Sequence, residues 1–190
     1  MRVCLRRRRE KRTDYRLRLR LLKSGRPRLV ARISLKHVRA QVVEFDPRGD
    51  RVIASAESKE LEKYGWKGGT SNTPAAYLVG FLCGSRAKKK GVGECVLDIG
   101  LHDPTPQAKV FAVLKGAVDS GLSVPHWEGI LPTRERIRGQ HIADYATKLR
   151  DDERSYRARF AGYLQRGLPP ENLPEHFDEI KRVLAKELSG

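Results

Sequence analysis

The sequence predicts an α/β fold: a βββαβα domain with a mixed sheet, a basic N-terminal arm before it and a helical C-terminal extension after it. Three observations carry that reading. Residues 26–58 are rich in β-branched and aromatic side chains interrupted by turn signals. An apolar run over 75–83 opens on Thr73-Pro74, the start signal of a buried helix. After Pro132 the apolar spacing changes to that of short amphipathic helices. The expected boundaries are an arm over 1–25, a domain over 26–125 and an extension over 126–190, which suits a chain of 190 residues.

Taken in order, residues 1–12 have no apolar periodicity and are expected to order only on a partner. Thr13 is a candidate N-cap, Asp14 falls in the first turn and Gly25 suits C′, so 13–24 is expected to be helical. The alternation RLRLRL at 16–21 also fits a strand. Strands are expected near 28–34, 38–45 and 51–57, divided by Ser34-Leu35-Lys36 and by the hairpin signal Asp46-Pro47-Arg48-Gly49-Asp50. Arg28 and Arg32 share a face opposite Leu29, Ala31 and Ile33, which implies a half-buried sheet with arginines on its open face. On that reading Arg28→Ala and Arg32→Ala weaken binding and barely affect folding.

A helix follows from Thr73 to Lys90, ended by Gly91, with Ala76, Gly80 and Gly84 spaced to let another backbone approach. CVLDIG (95–100) suits a short strand buried on both faces, and Thr105-Pro106 opens a helix that runs to Gly121. A right-handed crossover is expected between the parallel strands. Ile137, Ile142, Tyr145 and Leu149 mark one further helix. Tyr156, Phe160 and Tyr163 mark a second, and Phe177, Ile180, Leu184 and Leu188 a third. With little core of their own, these helices are expected to pack on the domain or on a partner.

The net charge is +16, and its placement is more telling than its size. Residues 1–39 hold 16 Lys and Arg against two acids, a net of +14, whereas 40–190 hold 23 against 21, a net of +2. A solubility surface would spread such charge; an arm that concentrates it suits a polyanion. No run approaches the roughly 18 apolar residues of a membrane span, so no membrane partner is expected. The N-terminus lacks the apolar core of a secretory signal, and the forty residues after it argue against a mitochondrial presequence. Cys4, Cys83 and Cys95 are odd in number and lack metal-ligand spacing, which fits a reducing compartment without disulfides. No cofactor or metal is implied.

Arg6, Arg7, Arg8 and Arg9, with Lys11, Arg12, Arg16, Arg18 and Arg20, form the strongest functional signal, since guanidinium groups bind phosphate through paired hydrogen bonds. Tyr15, His37, Phe45 and Tyr64 are candidates for stacking on unpaired bases. Of these, Phe45 reads as core, and His37 beside Lys36 and Arg39 reads as a contact. The strand order together with Asp98 also outlines a metal-dependent RNase H-like nuclease. Such an enzyme needs several converging carboxylates, however, and the first strand contains none. Asp98 therefore reads as a structural residue. Gly-Trp-Lys-Gly-Gly at 65–69 follows no clear strand and reads as a loop, not a phosphate cradle. A basic interaction module that binds acidic proteins remains a further alternative.

The run RRRREKRTDYRLRLRLLKSGRPRLVARISLKHVRAQVV (6–43) resembles the N-terminal region of the archaeal and eukaryotic form of large-subunit ribosomal protein eighteen, the 5S rRNA-binding family. The resemblance continues through YGW (64–66), SNTPAAYLVG (71–80), VLDIGLHDPTPQAKVFAVLKGAVDSGL (96–122), RIRGQHIADYA (136–146) and LPEHFDEIKRVL (173–184). The length suits the archaeal form. The resemblance implies a non-catalytic role in cytoplasmic ribosomes, in the central protuberance, where the protein binds 5S rRNA and attaches it to the large rRNA beside a second 5S-binding protein. The RNA-contacting positions it implies are Arg6 to Arg20, then Arg26, Arg28, Arg32, Lys36, His37, Arg39 and Gln41. Ser71, Asn72 and Lys109 follow in matched loops.

Overall fold

The computed structural model describes residues 3–189. A single turn of helix, α1 (Arg6–Arg9), stands where no element was expected, and α2 (Tyr15–Leu22) follows. The cap of α2 is Asp14, not Thr13: its carboxylate accepts from the backbone N–H of Arg16 and Leu17. Strands β1 (Arg28–Ile33), β2 (Val38–Glu44) and β3 (Arg51–Glu57) then form an antiparallel meander. Helix α3 (Thr73–Lys89) leads to β4 (Val96–Asp98), which lies parallel to β1, and α4 (Lys109–Asp119) completes the βββαβα order. The sheet order is β3-β2-β1-β4, so β4 is an edge strand, half-buried at Val96 and Leu97 instead of enclosed on both faces. Helix α4 starts four residues after Thr105, because 105–108 turn before the chain enters the helix.

Strand alternation sends Leu29 and Ala31 of β1, Val38, Ala40 and Val42 of β2, and Ala54 and Ala56 of β3 into one core. Helices α3 and α4 cover that face and lie against each other unusually closely. A Cβ added at Gly80 would sit 2.0 Å from the Val113 carbonyl oxygen, and one at Gly116 would sit 2.1 Å from that of Tyr77. The glycines of the α3 small-residue row, Gly80 and Gly84, are therefore there for helix contact. The cap of α3 is Asn72, whose side chain accepts from the Ala75 N–H; Thr73 is the first helical residue.

The helix expected around Ile137 to Leu149 is two: α5 (Arg134–Arg138) and α6 (Gln140–Lys148) meet at Gly139, which takes φ +87°. α7 (Glu153–Gln165) and α8 (Leu173–Ser189) complete the chain. Ile137, Leu168, Leu173, Phe177, Ile180 and Leu184 join the same hydrophobic core as the sheet, so these helices pack on the preceding elements. The Leu188 side chain lies outside the described residues. Trp66, read as part of a loop, is buried; its ring stacks on His176 and its N–H donates to the Gly69 carbonyl. Phe45, read as core, is exposed, because β2 ends at Glu44 and the next residue enters the hairpin turn. Among the described residues no helix is long and apolar enough to cross a membrane.

Candidate nucleic-acid interface

The arm reaches the body through charge. The Arg18 guanidinium donates to both carboxylate oxygens of Asp50, at 2.9 and 2.8 Å, so α2 is tied to the β2–β3 turn. Asp50 also accepts from Arg28 of β1 at 2.6 Å. Arg28 then donates to Asp98 of β4 at 2.7 Å, and Arg32 donates to the other oxygen of Asp98 at 2.8 Å. The parallel register explains the last step. Asp98 pairs with Val30, so it shares the sheet face of Arg28 and Arg32 and stands between them. Three arginines thus share two carboxylates, and a further N–H from Gly100 completes Asp98.

This network corrects the open-face expectation for β1. Arg28 is 4 % exposed, because α2 and Asp50 lie over the part of the sheet that the alternation alone would leave bare. Both of its terminal nitrogens are bonded to carboxylates and its unpaired Nε is buried, so it holds the arm in place and presents no accessible donor to a phosphate. Arg32 keeps a side chain 44 % exposed while holding Asp98. Burial raises the pKa of the Asp98 carboxyl, but the hydrogen bonds and charges of Arg32 and Arg28 outweigh it and leave the group below the usual carboxylate range. A carboxylate so saturated cannot also hold a catalytic metal, which removes the physical basis of the nuclease reading.

Between α2 and the β1–β4 end of the sheet lies a cleft of ≈ 340 Å³, lined among others by Arg7, Arg12, Arg18, Arg32 and His102. Its rim is basic beyond what Asp50 and Asp98 neutralise. The remaining arm residues are presented to solvent. Arg6, Arg7, Arg8, Arg9, Lys11, Arg12, Arg16 and Arg20 are all exposed, and Tyr15 is half-buried. Glu10 approaches Arg6 at 3.6 Å and Arg12 at 3.5 Å, both loose and solvated contacts. Arg26 pairs with Glu94 at 3.3 Å, again at the surface.

The other sequence-derived positions divide by what their side chains already hold. Lys36 is fully presented at the β1–β2 turn, Arg39 is exposed with a 3.1 Å pair to Glu57, and Gln41 is half-buried on the open face. The His37 ring, expected to reach outward, lies half-buried with Nδ1 3.4 Å from the Ser58 hydroxyl. Ser71 donates to the Ser34 carbonyl, and Lys109 donates to the Ser71 carbonyl. Asn72 caps α3 and donates to the Tyr163 hydroxyl. These three residues tie loops together around the β1–β2 turn. Tyr64, a stacking candidate, is half-buried against the core. Asp98 is structural, as the sequence suggested; missed were Asp50 and the tie of Asp98 to the arm, since both depend on strand register.

The chain matches the family model described as ribosomal large subunit proteins 60S L5 and 50S L18 over residues 1–93 and 85–127. It is also 55 % identical over 186 residues to large ribosomal subunit protein uL18 of Methanothermobacter thermautotrophicus, covering 98 % of this chain and 96 % of that protein. The chain belongs to the L18 family. Members are structural proteins of the large ribosomal subunit, so this protein works as part of a ribonucleoprotein and not as an enzyme. The family membership and the charge distribution agree: most of the net charge lies within the first 39 residues, where the family match begins.

Proposed function

We propose that the protein binds 5S rRNA and attaches it to the large rRNA in the central protuberance, next to a second 5S-binding protein. The observation that carries the RNA-binding part is the arginine arm, Arg6 to Arg20, exposed but for Arg18, which helps fasten it to the folded body through Asp50. An anchored arm loses less freedom on binding than a loose tail, and each phosphate it neutralises releases counterions. The resemblance over 6–43 supports 5S rRNA as the particular RNA. The proposed direct contacts are the exposed arm residues with Arg26, Arg32, Lys36, Arg39 and Gln41. Arg28, Ser71, Asn72 and Lys109 position them. The division into arm, α/β domain and helical extension belongs to the same proposal.

The test is a competition titration of the full chain on labelled 5S rRNA, with tRNA and duplex RNA as competitors, at several salt concentrations. A preference for 5S that persists while affinity falls steeply with salt is the expected result. Equal displacement by every RNA would reduce the claim to a general basic RNA-binding surface.

A further inference from the structure

We infer that the exposed face of α7 is a second RNA-backbone contact, which brings the C-terminal helices onto RNA as well as onto the body. The inference rests on the RNA-binding reading above and extends it to a region that the arm does not include. From Arg154 to Pro170 the chain carries Arg154, Arg157, Arg159 and Arg166 and no acid. The acids of this region, Asp151, Asp152 and Glu153, sit together at the helix start, where Asp152 caps the first turn and negative charge complements the helix dipole. Glu171, just after the helix, accepts from the Tyr156 hydroxyl on the seated side, which leaves Arg154, Arg159 and Arg166 without an ion pair among the described residues.

The helix is seated by one side. Phe160 is its buried residue, packed against Tyr145, Tyr156 and Tyr163. At about 100° per residue, Ala158 and Gly162 lie opposite Phe160, with Arg154 and Gln165 on one side of them and Arg166 and Arg159 on the other, while Arg157 sits nearer the seated side. All of these are exposed. Arg157 meets Glu153 in a fully solvated pair, while Arg154 and Arg159 form no ion pair among the described residues. Short side chains along the middle let a sugar-phosphate chain approach while the arginines reach it from both sides.

The face is also continuous with the interface already described. Tyr163 accepts a hydrogen bond from Asn72 at 3.1 Å, and the Arg166 guanidinium lies 5.7 Å from the Tyr163 ring centre. The neighbouring Thr70 and Ser71 donate to the Lys36 and Ser34 carbonyls, so the 70–72 loop links Tyr163 of α7 to the β1–β2 turn with its exposed Lys36. Charge and continuity both favour RNA as the occupant over a protein surface.

The experiment compares the full chain with the triple variant Arg154→Gln/Arg157→Gln/Arg159→Gln and with an arm variant, Arg6→Gln/Arg8→Gln/Arg9→Gln. Binding to 5S rRNA and to large-subunit rRNA is titrated against salt. The expected result is a fall of about 2 in the slope of log affinity against log salt for the α7 variant on at least one of the RNAs, with Tm unchanged and the Arg→Lys counterpart retaining the parent slope. An α7 variant indistinguishable from the parent on both RNAs, while the arm variant loses slope, would overturn this inference and leave the arm reading standing. No change of slope in either variant would overturn both. Loss of binding to polyglutamate by the α7 variant, with RNA binding intact, would assign the face to an acidic protein and reject RNA.

Discussion

Arg6 to Arg9 sit on one exposed helical turn with a single loose carboxylate neighbour in Glu10, whereas Arg28, some twenty residues later, is buried between Asp50 and Asp98. The residue type and the resemblance that marks them are the same, yet their physical roles are opposite. An exposed guanidinium contributes little to stability because water already solvates it, so its donors remain available to a phosphate. A buried guanidinium has exchanged water for two carboxylates, and removing it leaves Asp50 with Arg18 alone and Asp98 with Arg32 as its one charged partner, at the seam between arm and sheet. A basic stretch in one chain can therefore be half ligand-binding surface and half internal fastening.

The comparison breaks most sharply at Arg28. Arg28→Ala is expected to destabilise the fold by about 3–5 kcal/mol, as removal of one partner from a buried ion pair does. Thermal unfolding measures it, and a Tm within error of the parent would return Arg28 to the binding surface. The smaller effect is Asp98→Asn, which keeps the shape and turns an acceptor into a group that cannot serve both arginines. A loss of about 2 kcal/mol at neutral pH is expected. The same residue gives a pH signature. Its folded-state pKa is depressed, so its contribution is fully present above the unfolded value near 4 and is lost as pH falls through the lower folded value. The parent should lose stability as pH drops below about 4, and Asp98→Asn should show a shallower fall there; parallel curves would mean that the ion network adds nothing. The smallest stability effect belongs to the arm: Arg6→Gln/Arg8→Gln/Arg9→Gln should shift stability by no more than about 0.5 kcal/mol while weakening RNA binding and reducing its salt slope. A large drop in Tm would show that the arm also packs on the body.

Much of the fold was legible from local pattern. The three strands of the meander lie within one residue of their expected ends, and the β-branched alternation correctly divided core from non-core faces at Leu29, Ala31, Arg28 and Arg32. Less legible were the features decided by neighbours. Asn72 outranked Thr73 as a cap, and Gly139 broke a helix whose apolar spacing runs on past it. Phe45 was misplaced because an aromatic at a strand end can point either way; Trp66 lies in the loop expected of it, but its burial was not legible because its partner His176 is supplied by the last helix. Of the candidate site, the exposed arm could be read directly. The fates of Ser71, Asn72 and Lys109 could not, since each donates to a residue far away in sequence.

By itself the sequence determined the βββαβα order, the concentration of charge in the first 39 residues and membership of a large-subunit ribosomal family, because periodicity, composition and motif are properties of neighbouring residues. The tertiary structure alone decided which arginines are free. Asp98 lies 70 residues from Arg28 along the chain. The parallel register of β4 on β1 and the seating of α2 over Asp50 bring the charges together, and only after that pairing is a guanidinium either solvated or spent.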